Sequence, residues 1–99
     1  MARRVRWTPG ALKDLDEIAA YIARDSRFYA AIYVRRMFAA SRSLSTLPMR
    51  ARIVPEVGEV NLRELLIGNY RLIFRLFELE IQIITVINQT RDLSIHLSR

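Results

Sequence analysis

His96 is the only imidazole in the 99 residues, there is no cysteine, and Lys13 is the only lysine among 16 basic residues. Disulfides, thiolate metal sites and redox chemistry are therefore out of reach, and no metal or cofactor is expected. What these side chains could attempt is general acid–base catalysis, which needs a base, an acid and, where negative charge builds up, cations to hold it. Glu64 could serve as the base and His96 as the acid, with arginines as the cations. A bland explanation competes at each position. Glu64 would share a strand face with Arg71 and Arg75, where a cross-strand ion pair is the commoner outcome, and a lone histidine near a chain end is usually solvated.

The elements that must carry these residues follow from periodicity. Residues 5–7 read as a short strand. Thr8-Pro9 then supplies a hydroxyl N-cap and a proline at the first helical position. Leu12, Leu15, Ile18, Ala19 and Ile22 recur at helical spacing toward Arg24. Asp25 or Ser26 can cap a second helix, whose apolar positions run from Ala30 through Val34, Met37, Phe38 and Leu44 until Pro48 stops it. An αα-hairpin is expected.

Beyond Pro48 the pattern is β-rich: a short extended piece at 52–54, punctuation at Pro55 and Gly58, then runs at 60–67, 70–77 and 81–87. Gly68-Asn69 has the glycine-first pattern of a two-residue type II′ turn, which pairs Ile67 with Tyr70, Leu65 with Leu72 and Arg63 with Phe74. Leu65, Ile67, Tyr70, Leu72, Phe74 and Leu76 then form an apolar face for the helices. The opposite face, with Leu62, Glu64, Leu66, Arg71, Ile73, Arg75 and Phe77, mixes charge with apolar groups and suits a surface that a partner covers. The last dozen residues read as a tail or a single helical turn. The expected fold class is α+β, in one domain over residues 1–99: an N-terminal strand, an αα-hairpin, and an antiparallel β-meander carrying the helices on one face.

Composition narrows the partners. A net charge of +6 steers the chain toward nucleic acid or an acidic protein and makes such association salt-sensitive. The opening MARRVRWTPG has charge without an apolar run behind it, and no stretch approaches the ~18 apolar residues of a membrane span, so a cytoplasmic protein with no membrane partner is expected.

Three stretches carry a resemblance that extends over nearly the whole chain: WTPGALKDLDEIAAYIA at the first helix, SLSTLP leading to RIVPEVGEVNLRELLIGNYRLIFRL, and IQIITVINQTRDL. In this order and spacing the chain resembles the RelE/ParE superfamily of bacterial toxins, and Arg63-Glu64-Leu65 followed by Tyr70-Arg71 looks like the signature of the ParE branch. The resemblance implies a β-α-α-β-β-β fold, growth arrest by the free toxin, and neutralisation by a cognate acidic antitoxin, through which alone operator DNA would be bound. A homodimer, or a heterotetramer with the antitoxin, is compatible with it.

Two targets follow from the two branches. RelE-type members cleave mRNA on the ribosome, with arginines that Arg71 and Arg91 match, so a nuclease reading rests on Glu64, Arg71, Arg91 and His96. The lysines and late tyrosine of that branch are missing here: Leu62 and Glu64 stand where the lysines would be. ParE-type members trap DNA gyrase on cleaved DNA and need no catalytic set, so no catalytic residue is expected on that reading. There Arg63, Arg71, Ile73, Arg75, Phe77 and Arg91 would be target- or antitoxin-binding residues. A non-toxic relic that only binds antitoxin is the third reading.

Overall fold

A computed structural model describes residues 2–97, as β1 (Arg4–Trp7), α1 (Pro9–Ala23), α2 (Arg27–Ser43), a 3₁₀ turn (Pro48–Arg50), β2 (Arg52–Ile53), β3 (Leu62–Ile67), β4 (Tyr70–Leu76), β5 (Glu80–Asn88) and α3 (Leu93–Leu97). Five strands form one sheet in the order β1-β5-β4-β3-β2. The β3-β4-β5 meander is antiparallel as expected, and its β3–β4 register matches the sequence reading pair for pair. β1 adds a parallel pairing, Arg4 with Glu80 through Trp7 with Ile83, so the sheet is mixed.

Both helices begin where the caps predict. Thr8 Oγ1 accepts the Ala11 amide at 3.1 Å and donates to the Ile83 carbonyl at 2.9 Å, which ties the start of α1 to β5. Ser26 Oγ accepts from the Tyr29 amide at 3.1 Å. The second helix ends at Ser43, short of Pro48, because the chain tightens into i−3 hydrogen bonds at Leu44 and Ser45. Ser45 then bonds the Arg3 backbone through both its hydroxyl and its carbonyl.

The main core lies between the helical hairpin and one face of the sheet, where Leu15, Met37, Leu44, Leu72, Phe74 and Ile83 are essentially inaccessible. Trp7 packs on Phe38 at 4.9 Å between ring centroids and donates to the buried Ser41 hydroxyl at 3.1 Å. The second face of the sheet departs from expectation. It is covered by the chain itself: Val54, after β2, and Leu93 of α3 close over Leu62, Ile73 and Ile87 to make a second, smaller core.

Register shifts between Ile73 and Phe74 leave Ile84 as an extra residue on β5. Such a bulge resets which residues face which side. Ile83 faces Phe74 in the main core, but beyond the bulge Val86 takes that face, opposite Leu72, and Ile87 joins the second core. No helix among the described residues is long and apolar enough to cross a membrane.

Gly68 has φ +58° and Asn69 is not left-handed, the sign pattern of the expected II′ turn. A Cβ at Gly68 would also stand 1.8 Å from the Tyr33 hydroxyl of α2. Gly68→Ala should therefore cost about 1–2 kcal/mol from backbone strain alone, with a steric part on top. In a Tyr33→Phe background, which removes the clashing hydroxyl, the same substitution should cost less. Urea midpoints of the four proteins measure the coupling, and purely additive effects would show that the Tyr33 contact does not matter.

Candidate functional site

Glu64 and Arg71 sit diagonally across β3 and β4, and their side chains are paired at 2.6 Å with only 0% and 5% of their surface exposed. Arg71 Nε also donates to Glu64 Oε1 at 2.7 Å. Each end of the pair is tied further. Arg52 of β2 donates to the other Glu64 oxygen. Arg71 makes a two-pronged contact with Glu56, Nη1 to Oε2 at 2.8 Å and Nη2 to Oε1 at 2.7 Å, and Nη1 also donates to the Arg91 carbonyl at 2.8 Å. Glu56 in turn accepts from the Leu93 amide at 2.9 Å, at the first residue of α3. The Arg71 hydrogen bonds, helped by the Leu93 amide and opposed by burial, hold the Glu56 carboxyl down to about 2.

The network settles several sequence expectations. The Glu64–Arg71 pair forms, whereas Arg75 turns to Glu59 at 3.3 Å in place of Glu64. Arg63, counted as a binding residue, is buried, its Nε and Nη1 donating at 3.0 Å to the Val60 and Ala51 carbonyls. Ile73, counted likewise, is fully buried in the second core. Ile73 is interior because residues 54–57 and α3 cover the face that alternation left open, whereas Arg63 lies on the helix-facing side of the sheet, opposite Phe74, and is satisfied there by backbone carbonyls. Phe77 stays exposed at the β4–β5 turn, its carbonyl accepting from Arg3 Nε at 3.0 Å. Asp92 accepts the Ser94 hydroxyl and amide, which hold its carboxyl below the ordinary range.

His96 is not a solvated tail residue. Its side chain is 10% exposed, with Nε2 at 3.1 Å from Thr85 Oγ1 and 3.6 Å from Asp14 Oδ2, while Thr85 Oγ1 donates to Asp14 Oδ2. Thr85 follows the β5 bulge, in a stretch of β5 that β1 does not pair, and it bridges α1 to α3. Above this relay is a cleft of about 410 Å³, lined among others by Asp14, Glu17, Tyr21, Tyr70, Arg91 and His96. Arg91 also borders a cleft of about 340 Å³ with Arg52, Glu56 and Arg71. Of the four residues on which the nuclease reading rests, His96 and Arg91 thus meet in one cleft, while Glu64 and Arg71 are withdrawn into the ion network. Asp14, Glu17 and Thr85 were not among the candidate site residues of the sequence, because nothing local distinguishes two charged positions of α1 and one strand threonine from other surface and strand residues.

A third hollow, about 540 Å³, runs between α1 and α2 on Ala19, Ala20, Ala23, Ala30, Ala31 and Val34. Arg27 and Arg35 flank it, and neither guanidinium has an ion pair among the described residues.

Residues 5–93 match the model of a family described as the ParE toxin of the type II toxin–antitoxin system parDE. The chain belongs to the ParE toxin family. Among solved structures, a chain from the chromosomal ParDE system of P. aeruginosa superposes with a TM-score of 0.71 at 22% identity, over 88% of this chain and 96% of that one. One from the RelBE2 toxin–antitoxin complex of Mycobacterium tuberculosis gives 0.61 at 22% identity, over 90% and 100%. At these identities the likeness is one of fold, and it is the RelE/ParE fold expected from the sequence. A protein named "Putative toxin Y4kP", from Sinorhizobium fredii, is 44% identical over 50 residues, a stretch that covers 50% of this chain and 52% of that protein.

In this ParE-family chain the Arg71–Glu56 clamp makes acid stability testable. The Glu56 carboxyl lies at about 2 in the folded protein against an ordinary 4.5, so its ionisation stabilises the fold fully above 4.5. That contribution is lost as pH falls from 4.5 toward 2. Glu56→Gln should be less stable at neutral pH yet lose less on acidification, so urea midpoints of the two proteins should converge near pH 2. Curves that stay parallel would show that Glu56 is not a source of the acid sensitivity.

Proposed function

We propose that this toxin arrests growth by trapping DNA gyrase on cleaved DNA in the cytoplasm, and that an acidic antitoxin neutralises it. The observation that carries the choice over RNA cleavage is the buried Glu64–Arg71 pair. A general base must be reachable by the proton it removes, and Glu64 is fully enclosed between Arg52 and Arg71. The family match and the ParDE neighbour support the same branch. On this reading the protein is a binder: Arg75, Phe77 and Arg91 are the members of the expected set that remain at the surface, and they are candidates for contact with the target.

The antitoxin is assigned to the hollow between α1 and α2. Its alanine floor admits the backbone or small side chains of an amphipathic helix, and Arg27 and Arg35 stand ready for carboxylates on its rims. A disordered acidic segment folding into this groove would bury apolar surface that the free toxin leaves in water.

Purified toxin should convert supercoiled plasmid to linear DNA in the presence of gyrase and ATP. Gyrase left untouched at micromolar toxin, with mRNA degraded in a parallel translation reaction, would overturn the assignment. Ala31 is exposed, so Ala31→Arg should fold normally while plugging the groove. It should weaken the complex with the cognate acidic antitoxin by about tenfold or more, roughly 1.4 kcal/mol. Unchanged affinity would place the antitoxin elsewhere.

A further inference from the structure

The cleft above the Asp14–Thr85–His96 relay holds two charges that nothing in the fold consumes. Glu17, on α1, and Arg91, after β5, both line it, and neither side chain has an ion pair or hydrogen bond among the described residues. Asp14 beside them is already committed to Thr85 and His96. Arg91 is also fixed at its backbone, because its carbonyl accepts from Arg71 Nη1. Its guanidinium therefore projects from an anchored residue and not from a loose tail.

Aromatic surface completes the set. Tyr21 is 64% exposed on the rim, and Tyr70 lines the wall, its phenol raised above the ordinary value by burial and by the neighbouring Tyr33 and Tyr21. Asn88, also in the lining, accepts from the Thr90 amide and hydroxyl through Oδ1, and its amide nitrogen has no hydrogen bond among the described residues. At about 410 Å³ the cleft lies within the ~300–1,000 Å³ of small-ligand sites.

Each group has a counterpart on one kind of molecule. An uncommitted guanidinium is a phosphate ligand, tyrosine rings stack unpaired bases, and a carboxylate accepts N–H groups from a base edge. Guanine presents an imino and an amino N–H side by side, so one carboxylate can take both. Adenine has no such pair. The net charge of +6 would draw a nucleic-acid strand to the surface from a distance.

We propose that this cleft binds one unstacked guanine nucleotide of a single-stranded nucleic acid, with the base edge on Glu17, the ring against Tyr21 and Tyr70, and the phosphate on Arg91. The site stands independently of the gyrase reading, since it rests only on the groups that line the cleft.

The test is fluorescence anisotropy of the full-length protein with labelled pentanucleotides, TTGTT against TTATT, TTCTT and TTTTT, as deoxy and ribo strands at low salt. The guanine strand should bind about tenfold tighter than the others in at least one of the two series, the discrimination of a good bidentate base contact. Glu17→Gln should erase the guanine preference, Arg91→Ala should weaken all strands alike, and Tyr21→Ala should weaken the guanine strand. Glu17, Tyr21 and Arg91 are all surface residues, so an unchanged circular dichroism spectrum is expected for each variant. Equal binding of all the strands in both series, or a guanine preference that survives Glu17→Gln, would overturn the proposal.

Discussion

Glu64 and Arg71 face each other inside the protein, and most of what lies on their side of the sheet is arranged around keeping that pair satisfied. Two charges taken out of water are tolerated only when each finds further hydrogen bonds. Arg52 of the edge strand β2 and Glu56 of the loop after it supply them, which draws that loop over the sheet, and the Arg91 carbonyl and Leu93 amide bring the later chain across to meet them. Once those segments lie there, Val54 and Leu93 close over Ile73 and Ile87, and the second core exists. Ion network and apolar lid are thus mutually dependent: the lid keeps water from the charges, and the charges fix where the lid attaches.

That arrangement has a consequence for function. The arginine-and-glutamate face that a nuclease of this fold would use is committed to structure at its centre, and what remains reactive or adhesive lies around it. Three separate surfaces result: the alanine groove between the helices, the exposed β4–β5 turn with Phe77, and the cleft where His96 and Arg91 meet. A toxin must hold an antitoxin and a target, and separate surfaces allow the two to be recognised by different chemistry. The groove is apolar with basic rims, whereas the cleft combines a carboxylate, a guanidinium and phenol rings.

The β5 bulge links the two sides of the sheet. One extra residue at Ile84 places Val86 in the main core and Ile87 in the second, and the following stretch of β5 has no β1 partner. Thr85 can therefore reach both α1 and α3, which seats His96 against Asp14. The local consequence is a C-terminal helix of five residues held at both ends, by Glu56 at Leu93 and by Thr85 at His96.

Local chemistry was enough to read the order of elements, the Thr8 and Ser26 caps, the Gly68-Asn69 turn and the β3–β4 register, because each depends on residues near one another in the chain. The Glu64–Arg71 pairing followed as well, since a two-residue turn dictates which side chains are diagonal neighbours. Tertiary structure alone decided that Ile73 is interior, that Arg75 belongs to Glu59, and that His96 rests on Thr85 and Asp14. Alternation tells which residues share a face but not what covers it, and here the cover comes from segments of two to five residues too short to show any period. Asp14 and Thr85 are 71 positions apart and meet only because a bulge, which no residue type announces, changes the facing of the strand between them.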